Sequence, residues 1–147
     1  MVALEQLSSL REALENRKVE AGREAEVIKL RVQIYIRLGS WELALFDPKE
    51  TTLVENSAWN PKYDKVLQYL ETATQLDPDS YQAWHEWALM NFRATEVCLK
   101  TGRNDKIEAY VAPAVNGFFR SILLGSTKND VTKDVLRLLT LWFANCQ

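Results

Sequence analysis

Histidine occurs once in these 147 residues, cysteine twice, proline four times and glycine five times, and each scarcity closes off a class of chemistry. One imidazole cannot build a histidine-rich metal site. The pair His85-Glu86 opens like a zinc-protease helix, but Leu89 stands where the second histidine must be. Cys98 and Cys146 form no Cys-x-x-Cys pair and no disulfide framework; they read as small core side chains in a reducing compartment. A dyad of Cys98 with His85 fails on distance, because their separation along one helix is about 20 Å. An aromatic-flanked histidine of this kind reads as a packed or rim residue. Glycine never clusters into a phosphate-cradling loop, and neither His-Arg-Asp nor Asp-Phe-Gly occurs. No apolar run approaches the roughly 20 residues that span a bilayer. Glu5 and Glu12 interrupt the stretch where a secretory signal needs its apolar core. There is no excess of one charge either. Against 18 Lys and Arg stand 20 Asp and Glu, leaving a formal charge of −2 and no concentrated basic surface for nucleic acid. The alternation of a half-buried strand is also missing. The expectations are no catalytic residue, no metal ligand and no cofactor site in this chain, no nucleic-acid partner, no transmembrane segment and a cytoplasmic location.

What the chain does have is aromatics and helical periodicity. Five Trp, five Tyr and five Phe in a chain that is 47% apolar supply much burial per residue, which suits helices that lock together. Leu4, Leu7, Leu10 and Leu14 form one stripe on a helix over about 3–17, within a first stretch (1–22) whose assignment the sequence leaves open. A second helix over 23–38 turns Ile28, Val32, Tyr35 and Ile36 inward and is expected to stop at Gly39. Trp41, Ala44 and Leu45 then fall in a short helix of their own. Pro48 and Thr51-Thr52 predict a loop near 47–60, and Pro61 fits the first turn of a helix to Leu76. That helix turns Val66, Leu67, Leu70 and Ala73 inward. Asp77-Pro78-Asp79-Ser80 is a turn ending in an N-cap. The next helix, 80–100, carries Ala83, Trp84, Trp87, Ala88, Phe92 and Thr95 on one wide face. After a loop near 101–106, a helix runs to Leu124, with Pro113 near its start or at a kink. A loop near 125–130 leads to a last helix, 131–145, with Val135, Leu138, Leu139 and Trp142 inward. The mixed charges of Glu15, Arg17, Lys18, Glu20, Arg23, Glu24 and Glu26 read as a solvated face.

Small residues beside aromatics, with proline at the turn between hairpins, are the tetratricopeptide pattern. Gly39-Ser40-Trp41-x-x-Ala44 fits one helix start: a turn at Gly39, Trp41 filling a groove, Ala44 letting backbones approach. The series Tyr63, Val66, Leu70, Ala73, Pro78, Trp84, Ala88 fits a helix, an inter-repeat proline and the next helix. The Trp84/Trp87 pair reads as core packing rather than a peptide groove, with Trp84→Ala expected to cost about 3–5 kcal/mol as a buried large aromatic. The long 47–60 loop and the long 80–100 helix break regularity. The fold expected is an all-α, tetratricopeptide-like irregular α-solenoid of helical hairpins forming one segment over 1–147.

Five stretches, in order, resemble consecutive blocks of the FAT domain of the target of rapamycin (TOR) kinases. They are Leu38-Gly39-Ser40-Trp41-Glu42-Leu43, Lys65-Val66-Leu67-Gln68-Tyr69, Ala83-Trp84-His85-Glu86-Trp87-Ala88-Leu89-Met90-Asn91-Phe92, Pro113-Ala114-Val115-Asn116-Gly117-Phe118-Phe119-Arg120-Ser121-Ile122 and Leu136-Arg137-Leu138-Leu139-Thr140-Leu141-Trp142-Phe143. The Ala-Trp-His-x-Trp-Ala and Gly-Phe-Phe-Arg-Ser blocks are the specific ones, and the likeness covers about 23–145. It implies a non-catalytic scaffold segment of a very large serine/threonine kinase that controls growth in response to nutrients. The parent kinase would use ATP and magnesium. The implied partners are neighbouring FAT repeats, the kinase domain of the parent chain and TOR complex subunits, with membrane association through the parent complex. The family's inositol-phosphate site is placed N-terminal to this stretch, and no binding residue is carried over. Gly117 joins Gly39, Trp41, Ala44, Ala73, Pro78, Trp84, Trp87, Ala88 and Trp142 as the residues given structural roles.

The competing reading is a free-standing tetratricopeptide-like adaptor that binds a peptide. An adaptor should end in a polar capping helix. The chain ends instead on Leu141-Trp142-Phe143-Ala144-Asn145-Cys146-Gln147, which favours a piece of a longer solenoid. Leu141 and at least one of Trp142 and Phe143 are then expected at the surface, and the isolated chain is expected to self-associate.

Overall fold

The computed structural model describes residues 2–16, 23–45, 62–125 and 128–145. Among the described residues there are six helices and no strand: α1 (Val2–Asn16), α2 (Glu24–Ala44), α3 (Lys62–Leu76), α4 (Tyr81–Lys100), α5 (Asn104–Leu124) and α6 (Lys128–Asn145). Each packs on its neighbours in chain order, with lighter α2–α4 and α4–α6 contacts, so the chain is an all-α helical-repeat solenoid. The loop expected near 47–60, Pro61 and Cys146 lie outside the described residues.

Helix ends follow the punctuation in the sequence where side chains can satisfy the orphan backbone groups. Ser80 caps α4 by accepting from the Ala83 N–H at 3.3 Å, and the Asp77 carboxylate accepts from the Asp79 N–H at 3.2 Å. At the other end of α4, Gly102 takes φ +68°; the Arg103 N–H reaches the Cys98 carbonyl at 2.9 Å and the Gly102 N–H the Leu99 carbonyl. Those two bonds close the helix at a left-handed residue that glycine occupies without a steric penalty. The turn is compact, so α5 begins at Asn104, inside the loop expected near 101–106. Likewise α6 begins at Lys128, inside the one expected near 125–130.

Gly39 does not end a helix. α2 runs through it to Ala44, and Trp41, Ala44 and Leu45 belong to this helix and its C-terminal cap rather than to a separate one. The glycine serves proximity instead: a Cβ built there would sit 3.4 Å from Leu70 Cδ2 and 3.6 Å from Val66 Cγ1, so α3 lies close over it. Pro113 is not at the start of α5 but in its interior.

Among the described residues two apolar cores result. One joins α2, α3 and α4 through Val32, Tyr35, Ile36, Val66, Leu70, Ala73 and Met90. The other joins α4, α5 and α6 through Ala88, Ala114, Phe118 and Leu141. α4 belongs to both. Its buried set (Ala83, Ala88, Met90, Asn91, Ala94, Thr95, Cys98) therefore wraps around the helix, and the two buried polar side chains bond within α4 itself, Asn91 to the Trp87 carbonyl and Thr95 to the Asn91 carbonyl.

Candidate interaction surface and its polar anchor

α4 and α5 meet at a pair of small residues. Gly117 faces Ala88 so closely that a Cβ on Gly117 would lie 2.7 Å from the Ala88 Cβ, 3.1 Å from its Cα and 3.1 Å from Trp87 Cε3. Helix propensity favours alanine over glycine by about 1 kcal/mol, but neither Ala88 atom can swing aside. Gly117→Ala is therefore expected to be net destabilising by about 1–3 kcal/mol. A fall in the urea midpoint with unchanged slope checks this; a rise would show that the two helices separate freely.

α6 is anchored on this pair of helices by one buried carboxylate. Asp134 is fully buried, and four donors converge on it. Ser121 Oγ of α5 lies 2.8 Å from Oδ2, His85 Nδ1 of α4 2.9 Å and Tyr81 Oη of α4 3.3 Å. Arg137, one turn along α6, approaches Oδ1 at 3.2 Å. A carboxylate only accepts, so the His85 proton in this bond sits on Nδ1. Desolvating a carboxylate is costly unless it is paired and hydrogen-bonded, and here both conditions are met. Geometrically, the hub fixes the rotation of α6 about its own axis.

That rotation differs from the one periodicity suggested. The inward set is Asp134, Leu138 and Leu141, not Val135, Leu138, Leu139 and Trp142. Leu141, expected at the surface, is 3% exposed against Phe118, whereas Trp142 is 63% and Phe143 67% exposed. With Asp134 inward, Leu136 and Leu139 also turn outward, as do Phe119 and Leu123 on α5. The result is an apolar outer face on the last two helices, of the sort that marks an interaction site.

Of the remaining residues given structural roles, Ala73 and Ala88 are fully buried and Gly39 and Gly117 sit at helix approaches. Trp87 is half-buried beside the first core. Trp84 is half-buried, not core. Its Nε1 donates to the Pro78 carbonyl at 2.8 Å, its ring meets Trp87 edge-on at 5.6 Å, and the Arg120 guanidinium lies 5.6 Å from it. Pro78 and Ala44 are exposed, so Ala44 is not where backbones approach; Gly39 is. Trp41 lines a shallow apolar notch with Ala3, Leu4, Ala44 and Leu45. Sequence reasoning missed Asp134. The available signal was an aspartate in phase with Leu138 and Leu141.

Several groups hold their protons more tightly folded than unfolded. Burial, and then the nearby Asp64 carboxylate, push the Tyr110 phenol up to about 12. Burial also raises Tyr63, Cys98 and Tyr35, the last helped by its 2.6 Å bond to Glu15 of α1; Lys65 is raised by its hydrogen bond to Glu42. A raised folded value gives stability that is complete below the unfolded value and lost as pH climbs through the folded one. With unfolded tyrosine and lysine near pH 10, the urea midpoint is expected to fall steeply between about pH 10 and 12. A flat profile there would contradict the packing of these phenols.

Among the described residues no group of histidine, cysteine or acidic side chains could hold a metal ion, and no helix is long and apolar enough to cross a membrane. Comparison with known proteins gives one family: the FAT domain, matched over residues 3–140, so the likeness includes α1 as well as the later blocks. The chain is 33% identical over 135 residues to the serine/threonine-protein kinase mTor of Drosophila melanogaster, covering 78% of this chain and 5% of that protein. It is 36% identical over 110 residues to the serine/threonine-protein kinase tor1 of Schizosaccharomyces pombe (73% of this chain, 4% of that one). It is 34% identical over 119 residues to the serine/threonine-protein kinase TOR of Oryza sativa (79% and 4%).

Proposed function

Because the chain belongs to the FAT-domain family, as a segment related to TOR kinases, we propose that it is a structural and protein-interaction scaffold of a growth-controlling serine/threonine kinase, non-catalytic by itself. The single observation that carries this reading is the apolar outer face of α5 and α6. It is held in a fixed orientation by the Asp134 hub and has no chemistry of its own to serve. A further repeat of the parent chain, its kinase domain or a subunit of its complex is the natural cover for such a face. ATP and magnesium belong on this reading to the parent kinase domain.

The test places Leu136→Glu and Phe143→Glu, both outward-facing, in the full parent kinase. The expected result is faster limited proteolysis across this region and loss of complex assembly or kinase activity, with the affinity for ATP unchanged. Wild-type assembly, activity and proteolysis together would sink the scaffold reading. The isolated chain should meanwhile self-associate with concentration in sedimentation, and the same two substitutions should weaken that association. Leu141, being buried, is no place for the charge.

A further inference from the structure

The apolar outer face of α5 and α6 is large for a lone chain. It is made by Phe119 and Leu123 on α5 and by Leu136, Leu139, Trp142 and Phe143 on α6, with Leu139 the least exposed at 45% and Phe143 the most at 67%. At about 150–250 Å² for an aromatic side chain, these residues present on the order of 600 Å², near the half-interface of about 800 Å² that a specific complex buries. On α6 the stripe Leu136, Leu139, Phe143 recurs at steps of three and four, the ridge against which a second helix interdigitates. An extended peptide would bury backbone N–H and C=O groups here that a helix surface cannot pair, whereas a helix arrives with its own already satisfied.

The free charges beside this face are of one sign. From residue 109 onward the sequence holds Arg120, Lys128, Lys133 and Arg137 against Asp130 and Asp134, a basic excess in a chain whose formal charge is −2. Asp134 is buried and holds Arg137; the side chains of Lys128 and Asp130 lie outside the described residues and cancel formally. Arg120 and Lys133 remain. Both are exposed, one turn before Leu123 and Leu136 respectively, and among the described residues neither forms an ion pair. The Arg120 guanidinium lies 5.6 Å from the centre of the Trp84 ring, whose indole N–H is fixed to the Pro78 carbonyl. Stacking uses the flat face of a guanidinium and leaves its edge N–H donors for a carboxylate.

From this apolar stripe and its basic flank we infer that the outer face is a docking site for one amphipathic α-helix whose apolar stripe is bordered by Asp or Glu. The inference rests on the scaffold reading above and adds to it the chemistry of the partner. A second copy of the chain is the poorer occupant, because it brings the same basic flank with it. An anionic membrane is poorer too: electrostatic attachment takes clusters of about 4–8 basic residues, and this face offers Arg120 and Lys133.

The probe is a fluorescein-labelled peptide of three Leu-Ala-Ala-Leu-Glu-Ala-Glu heptads, long enough to form a helix. A second peptide carries Lys in place of Glu, and a third carries Ala in place of Leu. Titrated against the 147-residue chain by fluorescence anisotropy, the Glu peptide should bind saturably and about tenfold more tightly than the Lys peptide, with added salt narrowing the gap. The Ala peptide should not bind. The preference should shrink in Lys133→Glu and reverse in Arg120→Glu/Lys133→Glu. Lys133 is exposed, so the circular dichroism and urea midpoint of its single variant should match the parent. Leu136→Glu/Phe143→Glu should abolish binding of both peptides. In sedimentation the Glu peptide should also reverse the self-association of the chain, since it takes the same face. Equal affinity for the Glu and Lys peptides, with both lost in Leu136→Glu/Phe143→Glu, would overturn the acidic partner and leave the scaffold reading standing. No binding of the Glu peptide, undiminished binding to Leu136→Glu/Phe143→Glu, or a preference for phosphatidylserine vesicles over the Glu peptide would overturn it as well. The scaffold reading itself falls only on assembly, activity and proteolysis of the full kinase.

Discussion

Asp134→Ala should lower the stability of the chain by about 3 kcal/mol, the cost of removing one partner from a buried charged network. The loss divides unequally among the former donors. Ser121 can fall back on the Phe118 carbonyl, 3.0 Å away, and Arg137 is exposed enough to swing into water. His85 and Tyr81 lose the carboxylate as acceptor and keep the contact with each other, 3.4 Å from Nδ1 to Oη. Asp134→Asn should cost less, because it keeps one acceptor oxygen while presenting an amide to the donors on the other side. Urea unfolding of the two variants checks the order. Equal losses would mean that the charge of the carboxylate, rather than its accepting geometry, holds α6. An Asp134→Ala variant as stable as the parent would remove the hub from any account of how the outer face is oriented.

Phe118→Ala should be the more damaging of two aromatic truncations. Phe118 is fully buried, packs edge-on to Phe92 at 6.1 Å and sits beneath Leu141. Emptying such a site costs about 3–5 kcal/mol in transfer and cavity terms. Trp84→Ala removes a larger ring from a half-exposed position, where water refills the space and no cavity remains. Its loss is one indole hydrogen bond, an edge contact with Trp87 and the stacking of Arg120. A smaller cost, about 1–2 kcal/mol, follows from those interactions. If Trp84→Ala proves the costlier of the two, the second core is not centred on Phe118.

The helices themselves were legible because their apolar spacing is strong: Val66, Leu70 and Ala73 read as one stripe and are one. Gly39 was misread for a physical reason. A glycine that ends a helix and one that lets two helices touch leave the same letter, and only the position of Leu70 distinguishes them. The phase of α6 was misread by one residue because the reading followed apolar side chains, whereas a buried aspartate sets the inward face. A single helix cannot bury so many large residues, so Trp142 and Phe143 stay outside, and the Asp134 hub is what turns Leu141, expected at the surface, inward.

α4 is a stiff beam shared by two cores. Its 20 residues are about 30 Å long, and Tyr81 and His85 at its first turns hold Asp134 while Ala83 and Met90 are packed in the core built with α2 and α3. A load applied to the outer face of α6 enters the beam near its N-terminal end. Because helices bend little and cores are close-packed, that load leaves as a tilt of the whole beam rather than as a local yield. A tilt of α4 against α3 would reach the core that α2 shares with both, so a rigid α4 ties the anchor of α6 to the first core without a hinge between them.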